Sequence, residues 1–140
     1  MGAIKRGDIY HRYFTTTKPP KYKFFVIVGE DEDNYVGYFF INSAINPAIL
    51  RNQRMLDMQM SISPSAYPFL DHSSFIAGHQ LSKISKNELI AELYEGRAQY
   101  KGKMAKEDMS MLLDAAMQSP LFSVKDKKYF TRGHCDFVMK

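Results

Sequence analysis

Phe24-Phe25-Val26-Ile27-Val28 and Tyr35-Val36-Gly37-Tyr38-Phe39-Phe40-Ile41, joined through Glu30-Asp31-Glu32-Asp33-Asn34, decide the fold class. The first run is continuously apolar and of strand length, the pattern of a strand buried on both faces or nearly so. The acidic run with Asn34 makes a solvated connection, and the second run returns as the next strand, so the two predict a β-hairpin. Upstream, Gly7 to Phe14 (GDIYHRYF) opens on a Gly-Asp turn and predicts a first strand. Thr15 to Tyr22 predicts a loop, because Pro19-Pro20 neither donates ladder hydrogen bonds nor joins a helix.

Downstream, Asn42 to Gln53 is irregular, with a turn at Asn46-Pro47. In Arg54 to Ile62, Leu56, Met58, Met60 and Ile62 alternate with polar residues, which predicts a strand with one wet face. Ser63 to Pro68 breaks it, and Ser74-Phe75-Ile76-Ala77 is a short strand candidate. Ser85-Lys86-Asn87-Glu88 fits a capping box, so a helix starts there with Leu89, Ile90 and Leu93 as its apolar stripe and Gly96 at its end. Arg97 to Lys103 predicts a basic linker. A second helix spans about 105–118, stopped by Ser119-Pro120. The tail carries Lys125, Lys127, Lys128 and Arg132 among aromatics, with a final strand around Lys128 to Thr131.

Hydrophobic residues make up 45% of the 140, enough for one core, and the aromatic load leans towards strands. Net charge is +4, but without Glu30 to Asp33 the rest carries roughly +8, a basic body compatible with nucleic acid and equally with mere solubility. The single Cys135 forms no internal disulfide, which suits a reducing compartment. No signal segment and no membrane-spanning run is seen, and Gly2 is followed by Arg6 where a myristoylation signal needs Ser or Thr. The expectation is a soluble, cytoplasmic protein without a membrane partner. Short strands, an irregular mid-chain loop and a closing helix fit a small closed barrel better than an open sheet.

The same residues resemble the PemK/MazF toxin family. Its members open with a Gly-Asp-aliphatic-aromatic strand, here Gly7-Asp8-Ile9-Tyr10, then a Pro/Gly-rich loop and a basic residue before a β-branched strand, here Lys18 to Lys23. The next strand ends in a small hydroxyl residue, as in Ile41-Asn42-Ser43. A later block, here Ser74 to Ile84, has a hydroxyl, two apolars and a Gln before an aliphatic position and the capped helix. The likeness covers roughly residues 4 to 95. It implies a mainly β fold with C-terminal helices: an SH3-like barrel of about five to six strands over 1–96. The extension 97–140, with a helix at about 105–118 and a basic tail, packs on the same domain and matches nothing in the family.

The resemblance implies a metal-independent endoribonuclease acting on single-stranded RNA, a homodimer held in check by an antitoxin-like partner, with no cofactor. Such a site supplies a base for the 2′-hydroxyl, an acid for the leaving oxygen and positive charge on the phosphate. Carried over by position, the catalytic candidates are Lys23, Ser43 and His79, with His11 and His72 in reserve. Lys18, Lys21, Tyr22 and Lys83 are the nucleic-acid-binding candidates. The chain departs from the family pattern: Lys23 replaces an Arg, Phe24 a Pro, Ala77 a second Arg and His79 an Asp. Lys lacks the planar fork that grips two oxygens. The alternative is therefore a non-catalytic barrel that binds nucleic acid or a protein partner. Each candidate also has an ordinary reading, as a strand-end lysine, a turn serine or a loop histidine. Tyr10, Tyr13, Tyr22, Tyr35 and Tyr38 offer stacking platforms or core packing. Adjacent side chains diverge, so Asp71-His72-Ser73 and His134-Cys135-Asp136 carry neither a triad nor a metal site.

Overall fold

The computed structural model describes residues 4–132; the Gly2 and His134-Cys135-Asp136 readings lie outside them. At its centre are β1 (Asp8–Phe14), β2 (Lys21–Glu30) and β3 (Tyr35–Asn42). The predicted hairpin forms, with Phe25 opposite Phe40 and Val26 opposite Phe39. Asn34 adopts φ 69°, a left-handed conformation that Asn tolerates better than most residues. The Asp31 carboxylate accepts from the backbone N–H of Asp33 and of Tyr35, each at 2.9 Å, so the acidic run also closes the turn.

The chain continues through α1 (Pro47–Leu50), α2 (Gln53–Leu56), β4 (Gln59–Ile62), β5 (Ser74–Ala77), β6 (Ser82–Ser85), α3 (Lys86–Glu95), β7 (Ala98–Lys103), α4 (Lys106–Gln118) and α5 (Val124–Arg132). The architecture is mainly antiparallel β with helices. Strand order is β4-β5-β3-β2-β1-β7, and one edge of β3 is shared: Ile41 and Asn42 pair with β5, Tyr35 to Tyr38 with β6. Among the described residues no pairing joins β4 to β7, so the sheet is not closed.

Strand alternation in β2 explains why its run is apolar throughout. Val26 and Val28 join Ile9, Phe39 and Ile41 in a core completed by Met109, Leu112 and Ala116 of α4 and by Tyr129 and Phe130 of α5. Phe25 and Ile27 face the other way, with Tyr10, Phe14, Val36, Tyr38, Ile84 and Leu89 of α3. Each large side chain so buried contributes about 1.5–3 kcal/mol. Helix α3 starts as the sequence predicts, with Ser85 Oγ accepting from the Glu88 N–H, and ends on Gly96 at φ 81°. The Glu88 carboxylate takes Arg12 Nη2 at 3.1 Å.

Several segments differ from expectation, and Ser82–Ser85 carried none; the predicted 15–22 loop gives up Lys21 and Tyr22 to β2. Only Gln59–Ile62 of the alternating 54–62 run is strand; Gln53–Leu56 is a helical turn whose first N–H groups are met by Asn52, as Asn46 does for the turn that begins at Pro47. The 97–103 linker is strand β7, paired to β1, and of its residues only Ala98 is buried. Ser82–Ser85 is strand β6. Lys128 to Thr131 lies within helix α5, not a strand. That helix sits on a seat without side chains: a Cβ at Gly29 would lie 1.7 Å from the Tyr129 carbonyl oxygen, and one at Gly37 would lie 2.9 Å from the Tyr129 ring. Arg6 ties the seat together, donating from Nε to the Val28 carbonyl (2.8 Å) and from Nη2 to the Tyr129 carbonyl (3.1 Å).

Candidate functional site

A groove of about 660 Å³ opens where β2 begins and β3 ends. Its walls come from four places distant in sequence. Strands β1 and β2 supply His11, Lys21, Tyr22 and Lys23; the end of β3 and the residue after it supply Asn42 and Ser43. The segment before β5 supplies His72, and the loop after it supplies His79 and Gln80. Lys23, Ser43 and His79 therefore line one groove, together with both reserve histidines.

Lys23 is half-buried and lies over the Phe40 ring, with Nζ 4.6 Å from the centroid. Its ammonium donates to Asn42 Oδ1. Burial, helped by the nearby Lys21 charge, lowers its pKa from 10.5 to about 8. Pairing with Arg12 puts Lys23 on the Phe25 and Phe40 face of the sheet, while His11, opposite Phe24, is on the other face. The two reach the same groove because it opens at the strand ends, where both faces are accessible.

His11 packs against Tyr22 (centroids 5.3 Å) and Phe24 (4.4 Å). Burial and then the Lys101 charge lower its pKa. Ser43 is exposed at the point where the chain leaves β3. His79 is half-buried, its pKa is lowered by burial, and its Nδ1 lies 2.9 Å from Gln59 Nε2. His72 is exposed, and its Nδ1 lies 3.1 Å from the Ser73 carbonyl oxygen, so the Asp71-His72-Ser73 run forms no relay. Tyr22, 61% exposed, stands at the rim beside Lys21, with its ring against His11 and Tyr13 and the rest open to solvent.

Two of the binding candidates lie elsewhere. Lys18 is exposed in the loop before β2 and does not line the groove. Lys83, in β6, donates to Asp126 Oδ1 at 3.1 Å and lies over the Tyr129 ring at 5.3 Å. It belongs to a second hollow of about 1000 Å³, bounded by Tyr13, Tyr35 and α3. Tyr22 is common to both hollows. In the second, Arg12 is held by Glu92 (2.5 Å) and Glu88, so its charge is already matched.

No protein-family model matches the chain, and no curated protein matches it. Sequence reasoning missed Asn42 and Gln59, the side chains that hold Lys23 and His79. Asn42 was visible only as a strand end. Gln59 sits on the polar side of an alternating strand, where solvation is the simplest reading; its partner depends on the pairing of Gln59 with Ala77 across β4 and β5. Among the described residues, no group of three or more His, Cys, Asp or Glu side chains is placed to hold a metal ion, and no helix is long and apolar enough to cross a membrane.

Proposed function

We propose that the chain is a metal-independent, toxin-type endoribonuclease acting on single-stranded RNA, cytoplasmic and dimeric, and kept in check by an antitoxin-like partner. The observation that carries this reading is the meeting of Lys23, Ser43 and His79 in one groove, with His11, Lys21 and Tyr22 beside them. On this reading the β core is an opened, divergent SH3-like barrel of the PemK/MazF kind. The shared edge of β3 supports it, because β5 and β6 leave that edge from its two halves, as does the irregular register of β2 between Ile27 and Gly29.

The reaction moves the 2′-hydroxyl proton to a base, forms the O2′–P bond and breaks the P–O5′ bond. Proton donation to O5′ leaves a 2′,3′-cyclic phosphate and a 5′-hydroxyl. An amine with its pKa near 8 is about one-tenth neutral at pH 7, so Lys23 has a usable basic fraction and, in its charged majority, a counter-charge for the phosphate. Ser43 offers a hydroxyl to a phosphoryl oxygen. Tyr22 offers a ring on which a base can stack, beside the charge of Lys21.

Two observations favour the non-catalytic alternative, a barrel that binds nucleic acid or a protein. The groove lining contains no arginine among the described residues, and the Lys23 ammonium is already engaged by Asn42. Incubating purified protein with single-stranded RNA in chelator separates the two. Fragments with cyclic phosphate ends, lost in Lys23→Ala, are expected; intact RNA at high protein concentration sinks the ribonuclease reading. Salt-dependent binding to intact RNA would then support the alternative.

A further inference from the structure

We infer that Gln59 is a positioning residue that holds His79 as a neutral imidazole with its proton on Nε2, so that His79 meets the RNA as a hydrogen-bond donor and not as the base for the 2′-hydroxyl. The atom His79 serves rests on the ribonuclease reading; the tautomer does not.

The assignment follows from one chain of hydrogen bonds. Gln59 Nε2 lies 3.0 Å from the Met55 carbonyl oxygen, an atom that only accepts. The amide therefore presents its NH2 group there, because the flipped amide would set oxygen against oxygen. The same nitrogen lies 2.9 Å from His79 Nδ1 and only donates. Nδ1 must offer a lone pair, which leaves the proton of the neutral ring on Nε2. A second proton on the ring would point an N–H at an NH2 group, in the same direction as the burial that already lowers the His79 pKa.

The backbone keeps the two residues together. The Gly78 N–H donates to the Met58 carbonyl at 3.0 Å, and a Cβ at Gly78 would meet that oxygen at 2.6 Å. His79 and Gln59 are thus the residues next to a close crossing of two chains. His79 lines the groove and Gln59 does not, so the ring is gripped from behind. Among the described residues Nε2 has no hydrogen-bond partner, which leaves its N–H for a phosphoryl oxygen. The base is then to be sought at Lys23 or His11.

Long-range 1H–15N NMR on the whole, histidine-labelled protein near neutral pH reads the tautomer directly, with His79 assigned by its loss in His79→Gln. The expected pattern is an unprotonated Nδ1 and a protonated Nε2. In Gln59→Glu the carboxylate cannot donate to Nδ1, so the fixed Nε2 pattern should be lost, and RNA cleavage should fall about 10- to 100-fold, the cost that losing such a partner has for metal-bound histidines. A protonated Nδ1 in the unaltered protein overturns the inference whether or not Gln59→Glu folds. The expected NMR pattern beside intact RNA overturns the ribonuclease reading alone and leaves the hold of Gln59 on His79 standing.

Discussion

Replacing Lys23 by Met should stabilise this protein at neutral pH, the opposite of what most substitutions at buried positions do. The stem keeps its length, and the half-buried charge is removed. Holding the ammonium's pKa at about 8 instead of 10.5, at about 1.4 kcal/mol per tenfold, puts the cost of the charged form at about 2–3 kcal/mol once partial exposure is allowed for. Against this, Asn42 Oδ1 loses a charge-assisted donor, worth about 1.5 kcal/mol at this half-buried position. The contact with the Phe40 ring goes as well, worth about 0.5 kcal/mol. The net gain is about 0.5 kcal/mol, a shift of roughly 0.3 M in the urea midpoint. Because the folded-state pKa lies below the unfolded one, the unfolded chain binds more protons between about pH 8 and 10.5. Wild-type stability therefore rises through that window, and the variant lacks this contribution. Urea unfolding followed by circular dichroism near pH 7 and near pH 10 tests this. The advantage of Lys23→Met should be present at the first and shrink at the second. A variant less stable near pH 7, or a difference that ignores pH, would refute the reasoning. A site that gains stability on losing its key group is a site whose residue is retained for something other than folding.

Other perturbations test the frame and the groove. Gly29→Ala drives a methyl into the Tyr129 carbonyl and should cost more than about 3 kcal/mol, with early loss of amide protection in α5. Glu92 is 5% exposed and paired to Arg12, so Glu92→Gln should cost about 3 kcal/mol in thermal melts. The hydrogen bond to Arg12 holds the Glu92 pKa below its usual value of 4.5. Its contribution is present above that value and should disappear as pH falls through the lowered one, so the cost of Glu92→Gln should vanish in strong acid. Tyr22→Ala should weaken single-stranded RNA binding by about 1–3 kcal/mol in a fluorescence titration, without altering the fold seen by circular dichroism.

Where burial imposes a pattern, the sequence was readable. The Phe24 to Ile41 hairpin, the Ser85 cap and the α4 periodicity all follow from residues whose neighbours in sequence determine their conformation. The elements that escaped have little local signal. β7 is an edge strand with one buried residue, so its AQYKGK text reads as a solvated linker. β6 buries only Ile84, and α1 and α2 are single turns too short to display a period. In α5, Tyr129 and Phe130 are aromatic, a type enriched in strands, which favours a strand there; the helix prevails because both rings are buried in one core and Gly29 and Gly37, distant in sequence, leave space for its backbone. The sheet's failure to close was likewise hidden, since it depends on which edge of β3 receives β5 and β6. At the site, Lys23, Ser43 and His79 could be picked out by type and order. The Asn42 and Gln59 contacts could not, because they are set by pairing between strands.

The glycine seat beneath α5 has a consequence for synthesis. Ile9 and Val26 are made early, yet the core they belong to is sealed by Phe122, Tyr129 and Phe130. A growing polypeptide must leave that surface uncovered until residue 130 has cleared the ribosome, so the docking of α5 comes late in folding. During that interval the nascent sheet is a natural client for chaperones.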